Sequence, residues 1–176
     1  MKIYRIYHKV DGYKAINTKN TKLEESFIRL GNDVDFSVHD GECFNWSGES
    51  SDKITDYPFI NGSTPVFSNK VFKLIKHLIS SNCTICNIKV DGEEYKIIDA
   101  NTLSGILKPE LSTIKYFKDG RIMNIKKYVF ANLQNLPSIF RIPELKTFTF
   151  VTEEVVDALR SINKLDGLDL EECEIV

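Results

Sequence analysis

Asp-Gly dipeptides at 11–12, 40–41, 91–92 and 119–120 each stand between strand-like runs. A two-residue type I′ turn needs positive φ at both central positions, which Asp tolerates and Gly favours. A chain punctuated in this way folds into antiparallel hairpins, and up to four are expected. The first would join "YRIYHKV" to "YKAIN", setting Val10 opposite Tyr13 and His8 opposite Ala15. Tyr4, Ile6, His8 and Val10 would then share one face. The clearest surrounds Asp91-Gly92, with Val90 against Glu93, Lys89 against Glu94, Ile88 against Tyr95 and Cys86 against Ile97. Cys86, Ile88, Tyr95 and Ile97 form its buried face, and a cross-strand pair such as Lys89–Glu94 adds roughly 0.2–1 kcal/mol. A two-residue loop at Asp119-Gly120 would oppose Lys118 to Arg121, two like charges.

Two helices are also signalled. After "STPVF", Ser68 can cap a helix over 69–80 with Val71, Phe72, Ile75, Leu78 and Ile79 on one stripe. After "TFTFV", Thr152 can cap a second over 153–163, with Val155, Val156, Leu159 and Ile162 on its stripe. Glu153, Glu154 and Asp157 lie near its start, where acids complement the helix dipole. Each stripe needs a sheet to lie on, because a large aliphatic side chain gains roughly 1.5–3 kcal/mol from burial. Aligning Ser68 with Thr152 aligns Val71 with Val155, Phe72 with Val156 and Ile75 with Leu159. Any strand–cap–helix unit gives such an alignment, and so does an internal duplication.

The expected fold is α+β: a mostly antiparallel sheet of hairpins covered on one face by two amphipathic helices. Residues 1–50 are expected as a strand-rich lobe that joins or flanks a core over 57–176. The polar stretch "NWSGESSDKITDY" marks the boundary, with Trp46 as its anchor. The 176 residues, 42% apolar and 27% charged, suit one compact unit that needs no staples. The net charge of −2 gives no global pull toward nucleic acid or an anionic membrane. "MKIYRIYHKV" lacks the continuous apolar core of a signal peptide, and no apolar run is long enough for a membrane span. A cytoplasmic protein with reduced cysteines is therefore expected.

Signals for chemistry are sparse. Cys83-x-x-Cys86 has no second pair at zinc-ribbon spacing, and Cys43 and Cys173 stand alone. If Cys83 is extended, the two thiols of the pair face opposite sides. His8, His39 and His77 occupy different elements without metal-ligand spacing, and no G-x-S-x-G elbow, P-loop or dinucleotide fingerprint occurs. Buried inert thiols, a satisfied core His8 and a surface His77 are expected. Lys108, Lys115, Lys118, Arg121, Lys126 and Lys127 are interleaved with Tyr116, Phe117 and Tyr128. This stretch is either a solvated hairpin face or the start of a nucleic-acid site. From Thr152 to Val176, eight acids face Arg160 and Lys164. Such an edge either keeps the protein soluble or meets a basic partner.

Four stretches carry a resemblance: "FINGSTPVFSNKVFKLI", "EYKIIDANTLSGIL…LS", "PSIFRIPELKTFTFVTEEVVDALRS" and "LDGLDLEEC". In this order they resemble a bacterial family of immunity proteins of polymorphic toxin systems (immunity protein family eleven and relatives, first catalogued as a domain of unknown function). Ser112 fits the pattern, while Asp99, Gly105 and Lys108 depart from it. The resemblance implies stoichiometric neutralisation of a cognate toxin, without catalysis, cofactor, metal, membrane or small-molecule ligand. The toxin would be a basic one, such as a nuclease, if the acids Asp169, Glu171, Glu172 and Glu174 form the contact. Ser68, Phe140, Arg141 and Thr152 are then structural, with Arg141 paired to a carboxylate for which Asp99 is the candidate. Two other readings stay open: an enzyme using a cysteine or a histidine–carboxylate pair, and a nucleic-acid module using Lys115–Lys127.

Overall fold

The computed structural model describes residues 1–61, 64–161 and 165–176. In chain order the elements are β1 (Ile3–His8), β2 (Ala15–Asn17), α1 (Lys22–Leu30), β3 (Cys43–Ser47), β4 (Val66–Ser68), α2 (Asn69–Ile79), β5 (Cys83–Val90) and β6 (Glu93–Ala100). Then follow β7 (Thr113–Tyr116), β8 (Ile122–Lys127), β9 (Val129–Phe130), β10 (Ile139–Arg141), β11 (Thr149–Thr152), α3 (Glu153–Arg160) and β12 (Leu168–Ile175). The fold is α+β, but the single sheet expected from the hairpin signals is two five-stranded mixed sheets and a two-stranded arm. The orders are β10-β11-β1-β12-β9 and β2-β3-β5-β6-β4, with β7-β8 as the arm.

The hairpin at Asp91-Gly92 has the expected register at every pair from Cys86–Ile97 to Val90–Glu93, and Asp91 and Gly92 both have positive φ. The Asp11-Gly12 turn also forms, but its flanks do not pair. Both edges of β1 are taken, by β11 and β12, so β2 pairs with β3 instead. Val10 is consequently exposed, while Tyr4, Ile6 and His8 are buried. Asp40-Gly41 makes no hairpin either. It leads from a 3-10 turn at Phe36–His39 into β3, which runs parallel to β5. Residues 1–50, expected as a lobe, are woven into both sheets.

The two sheets share a four-strand block. β4-β6-β5-β3 and β11-β1-β12-β9 each pair antiparallel, antiparallel, parallel. In each block the first strand runs into a helix, and the chain then returns as the third strand. Ser68 and Thr152 stand at the same place, opposite Tyr95 and Ile3 of the respective middle strands. The aligned residues of the two helices all point inward: Val71, Phe72 and Ile75 on α2, Val155, Val156 and Leu159 on α3. The helix expected over 153–163 ends at Arg160, and Ile162 lies outside the described residues.

Three apolar clusters fill the layers. The helices share the central one with Tyr4, Ile6, Phe67, Ile98 and Val151. The far face of the β5–β6 sheet carries a second, including Phe44, Cys86, Ile88, Tyr95 and Ile97, closed by α1. The far face of the β1 sheet carries a third, where Phe130, Phe140 and Phe150 pack ring on ring.

Candidate functional site

Asp169, Glu171, Glu172 and Glu174, the acids named for a partner contact, form one side of a charge ladder. Because β12 lies antiparallel to β1, Glu171 falls opposite Arg5 and Asp169 opposite Tyr7. Ion pairs join Lys2 to Glu172 at 3.0 Å, Arg5 to Glu171 at 2.6 Å and Lys9 to Asp169 at 3.5 Å. Lys127 closes on Glu174 at 2.9 Å. Four of the eight acids thus meet four bases, and the bias of β12 is cancelled across strands. Arg5 is the inner member, its guanidinium over the rings of Tyr7, Tyr128 and Phe148 at 5.0, 5.6 and 4.5 Å. The outer pairs are exposed and screened by solvent, so they add little to stability.

The motif residues are structural. Ser68 Oγ accepts from the Val71 amide at 3.4 Å and donates to Asp56. Thr152 is the N-cap residue of α3 by backbone geometry, but its side chain makes no cap hydrogen bond. Phe140 lies in the third cluster. Arg141 meets Asp99 at 2.8 Å, their side chains 9% and 27% exposed. Burial pushes the Asp99 carboxyl up, against the pull of Arg141, and the same burial lowers Arg141. Arg141 also lines a cavity of about 210 Å³ with Phe27, Asn32, Phe36, Asn61 and Lys146.

The cysteines are separated. Cys83 edges the central cluster and Cys86 lies in the second, on the opposite face of β5. Burial raises their thiols to about 11 and about 12, and Cys173 to about 12. Thiols this weakly acidic are poor nucleophiles and poor metal ligands at neutral pH. Among the described residues, no three His, Cys, Asp or Glu side chains cluster in a metal-holding arrangement. His8 is buried with its ring nitrogens 2.8 and 3.2 Å from the Tyr57 and Thr64 carbonyls, and burial lowers its pKa. His77 is exposed on α2.

One polar chain was not legible as a motif. Ser26 Oγ lies 3.0 Å from His39 Nε2, and His39 Nδ1 lies 3.0 Å from Glu42 Oε1. With Nδ1–H donating to the carboxylate, Nε2 is left to accept the Ser26 hydroxyl, the order of a serine–histidine–acid relay. An open depression of about 440 Å³ beside it is lined by Lys22, Arg29 and Val38 with Ser26 and His39. Ser26, however, lies inside α1, where backbone N–H groups serve the helix and are not free to form an oxyanion hole. Ser26 and His39 are 8% and 3% exposed, so the relay also pins α1 to the turn before β3. The signal that would have revealed α1 is the Thr21-x-x-Glu24 cap before Gly31. Thr21 Oγ1 accepts from Glu24 N, and Glu24 reaches back to the Asn20 amide.

The basic stretch forms the β7–β8 arm. Its tip is a three-residue loop, Lys118–Gly120, with Phe117 and Arg121 paired through the backbone. The like-charge opposition expected from a two-residue loop is thereby avoided, and Arg121 pairs with Asp119 at 2.7 Å. Ile125 is buried, and Ile114 and Ile122 pack on the third cluster. Leu111, Tyr116, Phe117 and Met123 are left in solvent. No helix of the described residues is long and apolar enough to cross a membrane. Compared with known proteins, the chain matches no family model and no curated protein.

Proposed function

We propose that this protein is a cytoplasmic immunity protein that binds a cognate bacterial toxin stoichiometrically and blocks its active site or substrate channel. The observation that carries the reading is the β7–β8 arm. It exposes two aromatics, a Met and a Leu on a scaffold whose other strands are held in two five-stranded sheets. Aromatic residues and Met are enriched in the cores of protein interfaces. The resemblance to immunity proteins supports the same reading; its four stretches fall on β4–α2, β6 and the connection after it, β10–β11–α3 and β12. Mixing the protein with the product of the neighbouring open reading frame tests it. A 1:1 complex with loss of toxin activity is expected; no complex at low or moderate salt rejects the reading.

The Ser26–His39–Glu42 relay favours a second reading, an acyl-transfer hydrolase with Ser26 as nucleophile and His39 as base. A fluorophosphonate probe should then label Ser26 in the native protein and not in Ser26→Ala. Absence of labelling under probe excess rejects it.

A further inference from the structure

We infer that the β7–β8 arm is the docking element and that the partner face it meets is acidic, an inference that rests on the toxin-binding reading above. The arm is a two-stranded sheet with no third strand on either edge, and register shifts near both ends curl it. Leu111, Tyr116, Phe117 and Met123 are 51, 54, 45 and 48% exposed, while Ile125 of the same arm is buried in the third cluster. Their neighbours are cations. Arg121 is satisfied by Asp119 and Lys127 by Glu174. Lys108, Lys115, Lys118 and Lys126 carry no ion pair among the described residues, and Glu110 is the one acid left beside them. The ladder on β1 and β12 is paired acid to base, whereas these four lysines around the arm have no paired acid among the described residues, so the arm itself is net positive. A basic partner, the one the linear sequence favours, would meet these lysines with like charge, which costs several kcal/mol. An acidic surface with an apolar centre fits both features: apolar side chains for contact and a lysine rim for steering.

Protein fits better than single-stranded nucleic acid. Stacking platforms present free aromatic faces to successive bases. Here the Arg121 guanidinium lies 5.5 Å from the centre of the Phe117 ring, and half of the exposed apolar set is aliphatic.

The test uses the full chain and the product of the neighbouring open reading frame, by biolayer interferometry at low and high salt. Three variants are compared with the native chain: Tyr116→Ala with Phe117→Ala; Lys115→Glu with Lys118→Glu and Lys126→Glu; and Glu172→Lys as control. All alter exposed side chains, so the arm variants should melt like the native chain, and Glu172→Lys, which loses its pair with Lys2, should melt only slightly lower. The expected result is a loss of about tenfold or more for each arm variant, slower association and a flatter salt dependence for the lysine variant, and little change for Glu172→Lys. Native binding with arm variants that bind within about twofold overturns this inference and leaves the immunity reading standing. No binding by the native chain overturns both. If the arm lysines are needed for binding a short single-stranded RNA and not for binding the toxin, the acidic-protein assignment is overturned in favour of nucleic acid.

Discussion

The Arg141–Asp99 pair gives the sharpest prediction about what holds the two sheets together. Arg141 stands in β10 and Asp99 in β6, and beside them the backbones join: Arg141 N donates to Asn101 O at 2.9 Å and Leu103 N to Arg141 O at 2.8 Å. The ion pair therefore spans the seam between the sheets. Removing one partner of a buried pair costs about 3–5 kcal/mol, because the other charge is stranded. Asp99→Ala strands the more deeply buried group, a guanidinium only 9% exposed, so the full cost of about 3–5 kcal/mol is expected. Arg141→Met strands a carboxylate that is 27% exposed and can take up a proton, so its cost should be lower, about 2–3 kcal/mol. The double variant should cost clearly less than the sum. Urea denaturation of the four proteins measures this.

The same pair has a pH signature. Burial already raises Asp99 above its ordinary range despite Arg141, and loss of Arg141 raises it further. A carboxyl whose folded pKa exceeds its unfolded value contributes most below the unfolded pKa. That contribution is lost as pH rises through the folded pKa. The penalty of Arg141→Met should therefore be smaller near pH ~4 than near pH ~7. Additive single effects under about 0.5 kcal/mol each, or a penalty that does not change with pH, would refute the reasoning.

Three further predictions concern single positions. Gly167 has φ +93°, and a Cβ there would sit 2.8 Å from Thr55 Cβ and 3.1 Å from its Cγ2. Gly167→Ala should cost about 2–4 kcal/mol from strain and overpacking; a chemical melt shifted by less than about 1 kcal/mol would show that this turn yields. Ser68→Ala removes a working cap and should cost about 1 kcal/mol. Thr152→Val should be neutral or stabilising, because the Thr152 hydroxyl is buried with no partner; equal losses in the two thermal melts would contradict the difference between the caps. Acidification should destabilise the fold through His8: its pKa is lowered by burial, so its contribution is present above the unfolded value near ~6.5 and is lost as pH falls through the folded value. Stability of the native chain that is flat from neutral to mildly acid pH, and unchanged in slope by His8→Gln, would remove that role.

How far the sequence reveals this fold depends on the range of the interaction that decides each element. The β5–β6 hairpin and the inner faces of α2 and α3 are legible because their determinants lie within a few residues: a turn with two positive φ values, a cap, a stripe. The partners of β1 are not, since Ile3 pairs with Thr152 and Cys173, at the far end of the chain. The Asp11-Gly12 turn is locally correct, yet its hairpin fails because those distant strands occupy both edges of β1. α1 has a readable cap, but its fully buried residues are only Leu23 and Ser26, too narrow a stripe to stand out. The relay of Ser26 joins groups 13 and 3 residues apart that no motif links. The acid ladder shows another limit: the charge run is plain in the sequence, but the cross-strand cations that pair with part of it come from residues more than 40 positions away. The Arg141–Asp99 link was reachable because an arginine inside an apolar strand demands a carboxylate.

The repeated topology explains where variation can be accommodated. Each block is a strand, a helix, a return strand, and a middle strand antiparallel to both, and the two helices pack together over one cluster. The second block takes its middle strand from residues 3–8, while the first takes it from the hairpin that follows β5. The arm belongs to neither block, because it lies in the connection between β6 and β9. α1 and the relay lie likewise in the connection between β2 and β3. Changes in these connections leave the shared core and both sets of ladders intact, and connections held by a rigid scaffold are where contact residues concentrate. The arm is anchored by Ile125 while Tyr116, Phe117 and its lysines stay outside, so its surface can be altered without disturbing the packing that makes the fold.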